Sequence, residues 1–96
     1  MTTVAADYAD RRWSQQKGMA ALADLLAAPT LYRLPPIPWT VLTVGALLGR
    51  AGSAAEVSAW ADFLAVQVTR SPMPAGTLTF RCDTHWCNVP VTIIFD

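Results

Sequence analysis

The spacing of apolar positions changes along the chain, and each change marks an element. From Asp7 to Ala28 the rhythm is helical: Met19, Leu22, Ala23 and Leu26 fall at the 3, 4, 7 spacing of one stripe. Asp7 suits the N-cap, and Asp10 suits the positive end of the helix dipole. Gly18 weakens the interior by about 1 kcal/mol relative to Ala. Pro29 closes the helix, because the residue before a proline avoids the α region. Thr30 to Pro38 then reads as a proline-rich linker, a stiff spacer that keeps two elements apart. Trp39 to Val44 is strand-like in composition, and Gly45 offers a turn after which Ala46-Leu47-Leu48 return. One strand and a hairpin are both open there, and the hairpin is preferred.

Ser53 with Glu56 three residues on forms a capping box, each side chain serving the other's free backbone N–H. The helix it opens is expected to reach Val68. Val57, Trp60, Ala61, Leu64 and Val68 make its apolar stripe, with Phe63 off the centre. Arg70 to Gly76 is a loop by its prolines and glycine. The last twenty residues alternate as a β-hairpin. With Cys82 opposite Cys87 across a four-residue tip, Phe80 meets Val89 and Leu78 meets Val91. Leu78, Phe80, Cys82, Cys87, Val89, Val91, Ile93 and Phe95 then share one face. Pro90 donates no ladder bond, so a sheet edge is expected beside it. Thr92 to Phe95 are left to pair with a strand of this chain or of a second copy.

These elements predict an α+β fold: an antiparallel sheet of three or four strands with one helix packed across it (ββαββ-like), plus an N-terminal helix. The segments are a flexible tail (1–6), the N-terminal helix (7–29), the linker (30–38) and a small α+β domain (39–96). Composition adds a mode of assembly. Apolar residues make up 53% of the chain and charged residues 15%, against about 25% charged in typical domains. A domain this small buries only part of such a surface. The expected state is therefore a homodimer, or a complex with a protein partner. Trp13, Met19, Leu22, Leu26, Phe63, Thr92 and Ile94 are the candidate interface residues.

Seven basic residues balance seven acidic ones and are scattered. Nucleic-acid binding draws on a clustered basic field, so nucleic acid is not the expected partner. A regulator that contacts nucleic acid through Arg11, Arg12 and Lys17 of the N-terminal helix is kept as a second alternative. Asp7, Asp10, Arg11 and Arg12 interrupt any early apolar segment, so no signal peptide is read. The longest uncharged run, Leu34 to Gly49, has 16 residues with three prolines, short of the about 20 that span a bilayer. The expected setting is the cytoplasm, with free thiols and no membrane span.

The hairpin holds both cysteines and the single histidine. Three readings stand for the cysteines: small apolar core residues, a cross-strand disulfide, or ligands with His85 in a zinc site. The zinc reading, a small metal-binding regulator using Cys82, His85 and Cys87, is the first alternative function. Its fourth ligand would come from Asp83 or a second subunit. No glycine-rich phosphate loop, carboxylate pair or HExxH occurs, so neither an enzyme nor a cofactor is expected.

The order Pro38-Trp39-Thr40-Val41, Gly45 to Gly49, Val57-Ser58-Ala59-Trp60-Ala61-Asp62-Phe63-Leu64, then Trp86 and Val89-Pro90-Val91 resembles small uncharacterised proteins of actinobacteria and their phages or integrative elements. Those carry a "WA…L" helix and a "W…VPV" hairpin, and the resemblance covers about residues 38–95. Where that pattern has glycine around Cys87 or Asn88, this chain does not, which sets its two cysteines apart. The resemblance implies a fold and no known activity. It carries over no catalytic residue.

Overall fold

The computed structural model describes residues 4–28, 33–72 and 78–96, with side chains from Asp10 onward. Expectations for Met1–Thr3, the closing Pro29, the linker's first residues up to Tyr32, and Met73–Thr77 lie outside the described residues. The elements in order are α1 (Val4–Leu26), β1 (Trp39–Val41), β2 (Leu47–Arg50), α2 (Ala54–Leu64), β3 (Thr69–Pro72), β4 (Leu78–Trp86) and β5 (Val89–Phe95). The fold is α+β. Its sheet has five strands in the order β1-β2-β5-β4-β3, rather than three or four. It is mixed rather than antiparallel, because β2 and β5 run parallel while the other neighbours are antiparallel.

The residues that reach the sequence as a capping box do cap α2. Ser53 Oγ accepts from the Glu56 N–H at 3.2 Å, and Glu56 Oε1 accepts from the Gly52 N–H at 2.8 Å, one residue further back than the usual partner. The helix stops at Leu64, short of the expected Val68. Ala65 adopts the left-handed conformation (φ 58°, ψ 43°) and returns its N–H to the Ala61 and Asp62 carbonyls, which turns the chain out of the helix. The chain re-enters the sheet at β3, within a stretch expected to be a loop. All four β3 residues are exposed, so no buried–exposed alternation marks them in the sequence.

The β4–β5 hairpin closes differently from the sequence reading. Its tip is the two-residue turn Cys87-Asn88, both at positive φ (51° and 63°), so Trp86 pairs with Val89 and Cys82 with Ile93. Two positive-φ residues make a turn whose twist matches that of the flanking strands, which a four-residue tip gives up. β4 therefore runs on past the expected tip, and Cys82 does not face Cys87. The face assignment survives for the strand residues, because the new register differs by an even number of residues, but Cys87 leaves the shared face for the exposed turn.

The edge expected beside Pro90 is local: β5 is unpaired there on the side away from β4 and gains β2 as a neighbour only from Val91 on. β5 is the central strand, flanked by β2 and β4. Pro90 is tolerated because β2 begins its pairing one residue later, at Leu47 with Val91. The pair beside a two-residue turn exchanges both hydrogen bonds, so in the next pair, His85 with Pro90, the ring nitrogen faces away from β4. It faces a side where β2 has not yet started. The strand beyond Pro90 pairs with β2 of this same chain, and the sheet's outer strands are β1 and β3. Gly49 continues β2. It lies under the Trp39 ring, where a Cβ would meet Trp39 Cζ3 at 3.0 Å and Ile37 Cδ1 at 2.8 Å.

Both helices pack on one side of the sheet. Ala21 and Leu25 of α1, Val57, Trp60 and Ala61 of α2, and Leu47, Cys82, Val89, Val91 and Ile93 of the sheet form one cluster, none more than 3% exposed. The resulting body is flat, 48 × 38 × 19 Å. The face α1 buries is not the expected stripe. Gly18, Ala21 and Leu25 point inward, Leu22 is half-buried, and Met19, Ala23 and Leu26 are exposed. Gly18 decides this: a Cβ there would fall on the Gly45 carbonyl oxygen in the β1–β2 turn, so only glycine lets α1 rest so close. The described part of the linker is no spacer. Ile37 is buried, the Pro35 carbonyl accepts from Trp60 Nε1 at 2.9 Å, and the Pro38 carbonyl accepts from the Arg50 N–H at 3.1 Å.

Candidate functional site

The chemistry-bearing residues of the hairpin are separated by the sheet. Cys82 points into the core, since alternate residues of a strand face opposite sides, and His85 is exposed on the other face. Cys87 is exposed in the turn. Both cysteines are free, so the disulfide is not formed, and with Cys82 in the core, His85 on the other face and Cys87 in the turn the proposed zinc trio does not converge. Among the described residues no three His, Cys, Asp or Glu side chains come together in a way that holds a metal. Asp83, the proposed fourth ligand, is engaged elsewhere: Arg81 Nε donates to it at 2.7 Å and Thr92 Oγ1 donates at 2.6 Å across the strand pair.

What the turn does hold is a link to α1. Asp24 Oδ2 accepts from Trp86 Nε1 at 2.8 Å and from Cys87 Sγ at 3.5 Å. The Cys87 thiol is pushed above its ordinary value, first by the slight shielding an exposed side chain retains and then by the hydrogen bond to Asp24 and that carboxylate's charge. The Cys82 thiol is also pushed up, by burial first and then by the charge of Asp83, against a hydrogen bond with the Ile93 backbone. A cysteine nucleophile is the thiolate, and both environments disfavour it. Asp24 escaped the sequence reading. Its one signal is a lone carboxylate inside the otherwise apolar run Ala20–Leu26.

The interface candidates divide into two groups. Trp13 (63% exposed), Met19 (60%) and Leu26 (44%) stand out from α1. The remaining four are engaged within the chain. Leu22 packs against the core. Phe63 sits between Trp60 and Trp86, with ring centroids 6.1 and 6.0 Å away. Thr92 and Ile94 lie in the central strand, on the face no helix covers, paired on both sides. Arg11, Arg12 and Lys17 are all exposed, yet at about 100° per residue they point in three directions around α1 and make no single basic face.

Two concavities flank α1, the first apolar and the second mixed in character. On one side, Leu26, Leu34, Pro35, Pro36, Ile37, Trp39 and Trp60 line a pocket of about 440 Å³. Trp39 and Trp60 meet there edge to face at 5.4 Å, and Trp39 Nε1 is buried with no hydrogen-bond partner among the described residues. On the other side, Trp13, Ser14 and Lys17 meet Val44, Asn88 and Pro90 around a shallower hollow of about 120 Å³. Val44 is 74% exposed. Set against protein-family models, curated proteins and solved structures, the chain matches none. No helix among the described residues is long and apolar enough to cross a membrane.

Proposed function

We propose that the chain is a non-enzymatic protein–protein interaction module that works as a homodimer, carried by an accessory or mobile genetic element. The observation that carries this reading is the large apolar side chains left in water on both flanks of α1 and the adjoining turn: Trp13, Met19 and Val44 are each at least 60% exposed. Single exposed apolar residues are ordinary, but a helix that buries glycine and alanine while exposing tryptophan and methionine presents a surface for a partner. The dispersal of the polar groups supports the non-enzymatic half of the reading. Cysteines held as thiols, a histidine on the opposite face and a carboxylate tied to Arg81 make no nucleophile–base pair. The link to a mobile element rests on the sequence resemblance alone.

Sedimentation velocity at micromolar concentration tests the assembly. A dimer gives twice the 10.4 kDa chain mass. A species that stays at chain mass across the accessible concentration range removes the reading.

A further inference from the structure

Asp10, Trp13 and Lys17 are exposed neighbours on α1. Asp10 and Lys17 are seven positions apart, so they lie within about 20° of one line along the helix, with Trp13 close beside that line. The Lys17 ammonium lies 5.6 Å from the Trp13 ring centroid. Asp24, seven positions further along the same line, is held by Trp86 Nε1 and Cys87 Sγ, so the register is argued from Asp10 and Lys17, whose midpoint falls between Trp13 and Ser14. At 1.5 Å rise per residue, the acid and the base stand about 5 Å to either side of it. Such a face is its own complement: turned end for end about that midpoint, each acid comes level with a base. Val44 and Pro90 extend the face beyond the helix. The opposite flank of α1, with Met19 and Leu26, has no acid–base pair of this kind and sets no register. Nucleic acid fits the Asp10 face poorly, since Arg11 and Arg12 diverge from Lys17 around the helix.

We infer that the chain's partner on this face is a second copy of itself, α1 packed antiparallel to α1 about a two-fold axis between Trp13 and Ser14, each Asp10 paired with the partner's Lys17. The inference rests on the self-association proposed above and adds its location and register. An isologous contact repeats every interaction twice, so one charge reversal per chain turns two attractions into two repulsions. Trp13, nearest the axis and next to Val44, is the aromatic anchor, the residue type that dominates such contacts.

Charge exchange tests it. Asp10→Lys and Lys17→Asp, each made in the full chain and checked for an unchanged circular dichroism spectrum, should each weaken self-association by about tenfold or more in sedimentation equilibrium, as should Trp13→Ala. The decisive sample is the equimolar mixture of the two charge variants. One chain then carries bases at both positions and the other acids at both, so the mixture should dimerise where neither variant does alone. A wild-type dimer unmoved by all three substitutions, or a mixture no tighter than its components, overturns the assigned face while leaving self-association standing. A wild-type monomer overturns both.

Discussion

Replacing Gly18 with Ala in the middle of a helix ordinarily stabilises it by about 1 kcal/mol, because glycine has more freedom to lose on folding. Here the sign should reverse. The added methyl would fall on the Gly45 carbonyl oxygen and lie 3.0 Å from Val41 Cγ1. The first obstacle is backbone and cannot swing away, so α1 has to lift from the β1–β2 turn. Lifting uncovers Leu25 and Ala21, which are now 0% and 3% exposed. Overpacking of this kind costs about 1–3 kcal/mol, and a rigid obstacle belongs at the upper end. Set against the helical gain, Gly18→Ala should destabilise the fold by about 2 kcal/mol. With a urea dependence of about 1–1.5 kcal/mol per molar for a chain of this size, the midpoint should fall by about 1–2 M at unchanged slope. Gly52→Ala is the matched control: the nearest atom a Cβ would meet there is Glu56 Oε1 at 3.4 Å, ordinary contact at the end of a flexible side chain. A Gly18→Ala variant as stable as wild type, or more stable, would show that α1 does not rest on the turn.

Two further expectations concern the polar groups. Asp24→Asn removes the charge beside Cys87, so its thiol should ionise at lower pH and iodoacetamide should label Cys87 faster near pH 8, while buried Cys82 stays protected; peptide mass mapping reads both, and an unchanged rate at Cys87 refutes the contact. Asp83 is held below the usual carboxylate range, by its hydrogen bond from Arg81 first and with help from Thr92, against partial burial. A carboxylate whose pKa is lower folded than unfolded adds stability above the unfolded value and loses it as pH falls through the folded one. Both partners of the pair are about half exposed, 51% and 50%, so the effect is within about 0.2–1 kcal/mol. Asp83→Asn should therefore be slightly less stable than wild type at pH 7, with the gap closing as the pH drops through the acid range; a gap that persists at pH 2 contradicts the linkage.

Some of this structure was legible because local rules governed it. The capping box at Ser53 and Glu56 needs only residues within one helical turn of each other to agree. The two faces of the last hairpin were legible even though its register was not. Moving the partner of Cys82 from Cys87 to Ile93 is a shift of six positions, and an even shift leaves every strand side chain on its face. The turn itself was hidden because Cys87-Asn88 lacks the glycine that usually announces a two-residue turn. β3 was hidden because an exposed edge strand is held by backbone bonds that any side chains permit. The buried face of α1 is not the one its large apolar residues mark, because contact with the turn is made by Gly18 and the core side is lined by Ala21 and Leu25. Nothing local announced the parallel pairing of β2 with β5, and nothing local tied Asp24 to the hairpin tip. These are contacts between distant segments, and only the assembled sheet specifies them.

The central position of β5 has a consequence for how the molecule folds. Without it, β1–β2 and β3–β4 are two separate hairpins, and an isolated two-stranded hairpin is marginal in water at best. Leu47 meets Val91 across 44 intervening steps of chain, so the contact that unites them carries a large loop-closure entropy before any return. Assembly is thus all-or-none. β5 acts as a latch between the two halves of the sheet, and substitutions at Val91 or Ile93 are expected to slow folding rather than merely hasten unfolding, as the two arms of a chevron plot would show.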